Sequence, residues 1–193
     1  NQKNILFSSR IPRTISILLS GSSLALAGLV MQQMMQNKFV SPTTAGTMEW
    51  AKLGILLSLI FFPKGHILIK LTFAVALSLG GTFLFVKLIN FIKVKEVIFV
   101  PLLGIMIGGI VSSFTTFIAL RTNALQSINN WLNGNFAVIT SGRYEILYLA
   151  IPLLIIAYIF ANHFTIAGMG KDFSHNLGVK YEQIINIALL ITA

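Results

Sequence analysis

Residues 10–47 read RIPRTISILLSGSSLALAGLVMQQMMQNKFVSPTTAGT, and this stretch decides the fold. It carries no charge from Thr14 to Asn37. At a rise of about 1.5 Å per residue, an uncharged helix of that length crosses the roughly 30 Å hydrocarbon core of a bilayer. We therefore predict a membrane helix over residues 14–35, with Arg10 and Arg13 at one end and a polar loop built on Pro42 at the other.

Small side chains recur inside this predicted helix. Between lipid-embedded helices the hydrophobic effect is absent, and close backbone approach favours association. We predict that the small residues lie where this helix touches other helices. They are Gly21, Ser22, Ser23, Ala25, Ala27 and Gly28.

The composition indicates an all-α, polytopic membrane protein. Mean hydropathy is +0.84, and the sequence is 55% hydrophobic but only 10% charged, whereas soluble domains carry about 25% charged residues. The net charge of +9 comes from Lys and Arg residues scattered between apolar runs. That pattern favours contact with lipid headgroups over nucleic acid. The absence of cysteine excludes disulfides and thiolate metal sites.

Further apolar runs predict the rest of a transmembrane helix bundle. They predict helices at about 45–62, 67–91, 97–120 and 144–164, a short surface helix at 124–132, and half of a further span at 184–193. The sequence therefore predicts about five full spans plus the start of a sixth. The abrupt apolar end suggests a piece of a longer protein.

Two charges stand apart from the helix ends. Glu49 and Lys52 lie three residues apart, on one face of the second predicted helix. One interpretation is an ion pair at the water boundary. The other is a polar lining of a transport pathway, because ionisable residues at membrane depth usually face the interior of a bundle.

No catalytic or nucleotide-binding constellation is visible. The five acidic residues do not pair with one another, and the three histidines lie in separate segments, so we predict neither an enzyme nor a bound metal or cofactor. The run Gly168–Lys171 resembles part of a phosphate loop. The motif fails at Thr165, where its first glycine belongs, and at Asp172, where Ser or Thr belongs.

Lysines and arginines are distributed unequally by type. Counted over alternate loops they number six against six, so the positive-inside rule gives no orientation. All four arginines nevertheless fall on one side, and arginine suits bidentate recognition of carboxylates. They are Arg10, Arg13, Arg121 and Arg143.

Three stretches together resemble the FecCD family, the permease subunits of ABC importers for iron–siderophore complexes, haem and cobalamin. The first is RIPRT followed by a small-residue helix ending GLVMQQ and by NKFVSPTTAGT; the others are NWLNGNF at 130–136 and GMGKDFSHNLGV at 168–179. The form SPTTAGTME is most similar to permeases for catecholate siderophores of the petrobactin type.

The resemblance implies the architecture and the partners. A family member has ten membrane helices, of which residues 1–193 supply the second to the sixth and the start of the seventh, as one permease domain. The expected partners are cytoplasmic ABC ATPase subunits, an extracellular or periplasmic siderophore-binding protein, a second permease subunit (identical or different) and membrane lipid.

The resemblance also implies roles for individual residues. The expected docking residues for the binding protein are Arg10 and Arg13. The expected cytoplasmic gate consists of Asn37, Phe39, Val97 and Ile98. The expected ATPase-coupling residues, within a cytoplasmic segment at 168–182, are Asp172, Phe173, His175, Asn176, Leu177 and Gly178. Lys38 replaces the proline that usually follows the gate asparagine, so the loop geometry there is expected to differ.

Two other classes of protein compete with an importer permease. A membrane enzyme needs paired carboxylates or histidines at a common depth, and the sequence offers none. An ion-coupled secondary transporter needs buried charges in broken helices, for which Glu49 with Lys52 is the candidate pair.

Overall fold

The computed structural model describes residues 6–92, 98–132, 136, 139 and 144–192, with the backbone alone at 130–132. Every regular element within these residues is helical. The α-helices are α1 (Ile11–Met34), α2 (Thr47–Phe61), α3 (Ile67–Ile92), α4 (Phe99–Arg121), α5 (Leu125–Leu132), α6 (Ala150–Ile159), α7 (Ala161–Ala167), α8 (Lys171–Asn176) and α9 (Tyr181–Thr192). A π-helical turn (Leu6–Arg10) leads into α1, and a 3-10 turn (Glu145–Leu149) leads into α6.

Three helical stretches are long and apolar enough to cross a membrane. They are Leu6–Met34, Ile67–Ile92 and Phe99–Arg121. A fourth, Glu145–Ile159 with Ala161–Ala167, passes the same test as a pair. The predicted all-α, multi-pass membrane fold is therefore confirmed.

The bundle has two ends, which we name by their residues. Helix α1 runs from the Arg10 end to the Lys38 end, and α2 returns toward the Arg10 end. Helix α3 runs back, and α4 returns again to Arg121 at the Arg10 end. Helix α2 packs mainly against α3 and also against α4.

Helix α2 is shorter than the predicted full span at 45–62. Its 15 residues cover about 22 Å at 1.5 Å per residue, less than the roughly 30 Å of a bilayer core. The reason lies in the polar turn before it, because Gly46 sits against Gly104 and Gly108, well inside α4. The described part of the chain therefore has fewer complete spans than the five predicted.

The predicted helix at 144–164 is broken. Helices α6 and α7 meet at Phe160 with a bend of 57°. Pro152 does not cause the bend, because it lies in the first turn of α6, where a missing N–H costs no helical hydrogen bond. The bend turns α7 toward α1 and α9.

Buried apolar side chains form three small clusters. The first joins the Lys38 ends of α1 and α7 to α9, through Val30, Met34, Phe164, Ala167, Ile184, Ala188 and Leu189. The second holds the loop after α1, through Met31, Val40, Ala45, Phe85 and Val100. The third joins α2, α4 and α5, through Leu53, Leu56, Val111, Ala119 and Ile128.

Several of the small residues of α1 make no contact with other helices within the described residues. Gly21, Ser22 and Ala25 are exposed, and a side chain added at Gly21 or Gly28 would meet nothing within 4 Å. The packed face of α1 is instead made by bulky residues near its C-terminus, in the first and second clusters. The prediction that small residues form the contact surface is wrong for Gly21, Ser22 and Ala25 within the described residues, whereas Ser23 is half-buried and lines a small gap between α1 and α6.

Candidate functional site

The two predicted docking arginines lie together at the start of α1 but in different surroundings. Arg10 is exposed. Arg13 is half-buried, and its Nε donates a hydrogen bond to the backbone oxygen of Phe136 at 3.1 Å. Arg10 is therefore the arginine that is more open to solvent, whereas Arg13 also ties α1 to Phe136.

Asn37 anchors the loop at the other end of α1. Its side chain is only 4% exposed, and its Oδ1 accepts a hydrogen bond from the Phe39 N–H at 2.9 Å. Its own N–H donates to the Gln32 carbonyl at 3.0 Å, which closes the helix. Asn37 thus folds the chain back, and Val40 enters the second cluster fully buried.

Hydroxyl groups hold the rest of this loop. The Ser41 N–H donates to Thr44 Oγ1 at 2.8 Å, and the Ser41 and Thr43 hydroxyls are 2.7 Å apart. Gly46 then adopts a left-handed φ of +77°, a conformation that L side chains rarely adopt. These contacts seat the loop against α4 and set where α2 starts.

The other predicted gate residues are apolar and exposed. Phe39 is 65% exposed and Ile98 is 75% exposed. Ile98 immediately precedes α4, so both lie at the Lys38 end. Val97 lies outside the described residues. Large exposed side chains flanking a rigid, buried asparagine suit a closing element, a role that remains a prediction.

The predicted coupling segment forms one exposed surface at the Lys38 end. Every coupling residue predicted from the sequence is exposed; these residues are Asp172, Phe173, His175, Asn176, Leu177 and Gly178. Ser174 is the exception within α8, because it is fully buried and its Oγ lies 2.8 Å from the Gly170 oxygen and 3.1 Å from the Ile166 oxygen.

Leu177 and Gly178 end α8. Gly178 has a left-handed φ of +73°, and the Val179 N–H returns to the Ser174 carbonyl at 2.9 Å. This is the glycine-terminated cap common at helix C-termini. Phe173 and Leu177 lie four residues apart and are 53% and 55% exposed, so α8 presents an apolar pair to solvent.

The loop after α1 and the coupling segment are neighbours. A side chain at Gly168 would overlap Gln33, and one at Gly170 would lie 3.3 Å from Gln36 Nε2. Lys171 Nζ also lies 3.5 Å from Glu182 Oε1, linking α8 to α9 across exposed side chains. The turn between α7 and α8 therefore lies against the end of α1.

The charged pair on α2 is formed as the sequence spacing predicts. Lys52 Nζ lies 2.6 Å from Glu49 Oε1, and the side chains are 28% and 23% exposed. The pair does not lie at the end of the bundle, because Gly46, three residues before Glu49, packs on Gly104 and Gly108. This depth favours the interpretation as a polar lining over that of an ion pair at the water boundary.

Two features next to this pair escaped the sequence analysis. The indole of Trp50 fills the space over Gly81 of α3, a contact that the Gly80-Gly81 doublet signals only weakly. A polar cavity of about 160 Å³ lies between α2, α4 and α5. It is lined by Lys52, Ser112, Thr115, Thr116, Ala119, Leu125, Ile128 and Asn129.

Metal-binding chemistry is not visible in the described part of the chain, where no three His, Asp or Glu side chains come together to hold an ion.

Comparison with known proteins identifies the family of this chain. The model of the FecCD transport family matches residues 1–193. A petrobactin import system permease protein of Bacillus subtilis (strain 168) is 53% identical over 192 residues, covering 100% of this chain and 61% of that protein. A ferric-anguibactin transport system permease protein of Vibrio anguillarum is 35% identical over 188 residues, covering 97% of this chain and 60% of that protein.

The fold is also found in a solved structure. A metal-chelate type ABC transporter in an inward-facing conformation matches with a TM-score of 0.72 at 22% identity. The match covers 99% of this chain and 62% of that chain. The chain thus spans about three fifths of the length of these relatives. Since the family model matches every residue, the chain belongs to the FecCD transport family.

Proposed function

We propose that this chain is part of the permease subunit of an ABC importer that moves an iron(III)–siderophore complex across a bacterial cytoplasmic membrane. The observation that carries the proposal is the 53% identity, over the whole chain, to a petrobactin import permease. A petrobactin permease of Bacillus anthracis is also 40% identical over 179 residues. The chain itself performs no chemical conversion, because a separate ATPase subunit hydrolyses the ATP.

The exposed surface of α8 supports an ATPase partner. Phe173 and Leu177 expose apolar area at the Lys38 end. Without a partner protein, this apolar area would be in contact with solvent. The buried Ser174 hydroxyl fixes α8 to the turn before it, so a push on this surface moves a rigid unit. The turn before α8 lies against the end of α1, through Gly168 and Gly170, and would carry the movement to the loop at Asn37 and Phe39.

The opposite end supports a binding-protein partner. Arg10 is exposed at the start of α1, and a surface carboxylate of a docking protein would pair with its guanidinium. Phe136 holds Arg13 close by. Charges at the rim of an interface mainly steer association and set its salt dependence.

An apolar face of α4 supports a second permease subunit. Met106, Ile110, Phe114 and Phe117 are each more than half exposed along one side of the helix. Two such faces, from identical or different subunits, would enclose a pathway between them. Differential affinity of the partners for its two states would bias which side is open.

The test is reconstitution of the full-length permease with its ATPase and a loaded binding protein in liposomes. We expect uptake of the ferric siderophore to require ATP and to survive collapse of ion gradients. Uptake that persists without the ATPase but stops with the gradients would overturn the proposal. It would favour an ion-coupled transporter, for which the Glu49–Lys52 pair is the supporting observation.

A further inference from the structure

The Glu49–Lys52 pair lies near the middle of the bundle's depth. Gly46 contacts Gly108, nine residues into α4 from Phe99, which is about 14 Å along the helix. The hydrocarbon core is roughly 30 Å thick. Charges at such depth are costly and usually face a protein interior or a water-filled cavity. A cavity of that kind adjoins Lys52.

The two members of the pair differ in their relation to the cavity. Lys52 lines the cavity, and Glu49 does not. Glu49 Oε2 is buried without a hydrogen-bond partner among the described residues, and the Glu49 side chain points along Gly108. The carboxylate thus balances the charge of Lys52. The Lys52 side chain borders the cavity, and its ammonium has three N–H donors, of which Glu49 takes one.

The other polar groups of the cavity divide into donors and acceptors. Thr115 and Thr116 donate their hydroxyl protons to the carbonyls of Val111 and Ser112, at 2.7 and 2.9 Å, so they offer lone pairs to the cavity. The Ser112 hydroxyl and the Asn129 amide can donate. Lys52, Ser112 and Asn129 are therefore the donor set for an anionic oxygen.

The size of the cavity limits what it accepts. At about 160 Å³ it holds roughly five waters, each with about 30 Å³ of liquid volume, and it is smaller than the 300–1,000 Å³ of typical ligand pockets. A whole iron chelate does not fit, but one carboxylate or phenolate group at its edge does. The cavity lies beside the half of α4 that is nearer to Arg121, and α5 forms part of its wall.

We propose that Lys52, Ser112 and Asn129 form a subsite for one anionic oxygen group, a carboxylate or a phenolate, at the edge of the transported chelate. This inference rests on the proposed import function. The chelate would meet the subsite early, because the cavity lies on the Arg10 side, where a binding protein delivers its cargo. Lys52 attracts the anion in transit, and Glu49 keeps the empty site from holding an uncompensated charge.

Charge-selective labelling tests the subsite directly. The chain contains no cysteine, so Ser112→Cys adds one thiol to it; any cysteine elsewhere in the full-length permease is replaced by serine. The reagents are methanethiosulfonates bearing a sulfonate or a trimethylammonium group. Each rate is divided by the rate of the same reagent with a small free thiol. On this scale we expect the anionic reagent to react about tenfold faster, and Lys52→Met to remove this preference. Lys64→Met, in the exposed turn after α2, is the matched control and should leave the preference intact.

Uptake measurements add the functional readout. In liposomes with the ATPase and binding protein, Lys52→Met should slow chelate uptake about tenfold, and Lys52→Arg should restore most of it. Because Lys52→Met leaves Glu49 buried and unpaired, the double variant Glu49→Gln with Lys52→Met serves as the second test. Uptake that stays low in the double variant supports the subsite, whereas recovery to wild-type uptake means the pair is only structural.

Two further outcomes overturn the inference alone. One is equal reaction of both reagents, on rates normalised to a free thiol, with wild-type Lys52 present. The other is no reaction at Ser112→Cys in a transporting protein. Absence of ATP-driven uptake in the unmodified permease would instead overturn the proposed function, and the labelling preference would still report on the anion site.

Discussion

Ser174 shows how a single buried hydroxyl defines a surface. It is the fully buried member of an otherwise exposed helix, and its Oγ lies within hydrogen-bond distance of the Gly170 and Ile166 carbonyls. We predict that Ser174→Ala loosens the segment at 168–182, at a cost of about 0.5–1.5 kcal/mol for the lost hydrogen bond, because the Gly170 and Ile166 carbonyls keep their backbone donors. Amide hydrogen exchange of this segment should speed up in the full-length permease. His175→Ala, an exposed neighbour, is the control, and equal exchange in both variants would contradict the assignment.

Gly81 is required by Trp50, and its neighbour Gly80 is not. A side chain at Gly81 would overlap the buried indole, whereas one at Gly80 meets nothing within 4 Å. We predict that Gly81→Ala destabilises the permease by about 1–3 kcal/mol, the usual cost of overpacking. Gly80→Ala should leave thermal unfolding in detergent unchanged. Equal melting temperatures for the two variants would show that Trp50 has room to move.

At the scale of elements, the position where α2 starts depends on the contact of the preceding loop with α4. A side chain at Gly104 would overlap the Thr44 carbonyl and press on Phe85. We predict that Gly104→Ala displaces the loop at 37–46 and lowers the melting temperature of the full-length protein in detergent. Gly109→Ala adds a side chain on the open face of the same helix and should melt like the wild type. If Gly104→Ala also melts at the wild-type temperature, the contact between the loop and α4 is not structurally important.

The positions of the long helices could be predicted from the sequence, but the length of α2 and the bend between α6 and α7 could not. The apolar runs predicted α1, α3 and α4 to within three residues at each end, because an uncharged run in lipid has only helix as its solution. The shortening of α2 depends on a contact between Gly46 and α4, about 60 positions apart. The bend at Phe160 has no glycine or proline to signal it.

The candidate sites divide in the same way. The cap at Leu177-Gly178 was predictable, since glycine at that position has a local backbone reason. The Glu49–Lys52 pair was predictable from its spacing, but its depth and the cavity beside it depend on three helices meeting. The exposure of Arg10 and the half-burial of Arg13 likewise depend on where Phe136 comes to lie.

At the scale of the whole molecule, the two ends are proposed to meet different partners. Arg10 and Lys64 are both exposed at the same end, but only Arg10 belongs to the proposed docking surface. We predict that Arg10→Glu weakens binding of the loaded binding protein about tenfold at low salt and less at high salt. Lys64→Glu changes the net charge equally and should have little effect. Indistinguishable affinities for the two variants would place the docking surface elsewhere.

The most direct test of the account measures coupling across the membrane. The full-length permease is reconstituted with its ATPase, and stimulation of ATP hydrolysis by a loaded binding protein is compared between wild type and Phe173→Ala with Leu177→Ala. Phe61→Ala, an apolar truncation at the opposite end, where Phe61 is 65% exposed, is the control. We predict that the double variant folds and binds the binding protein but loses most of the stimulation of ATP hydrolysis, while the control keeps the full stimulation. Full stimulation in the double variant would contradict the central claim, because α8 would then be an ordinary surface helix.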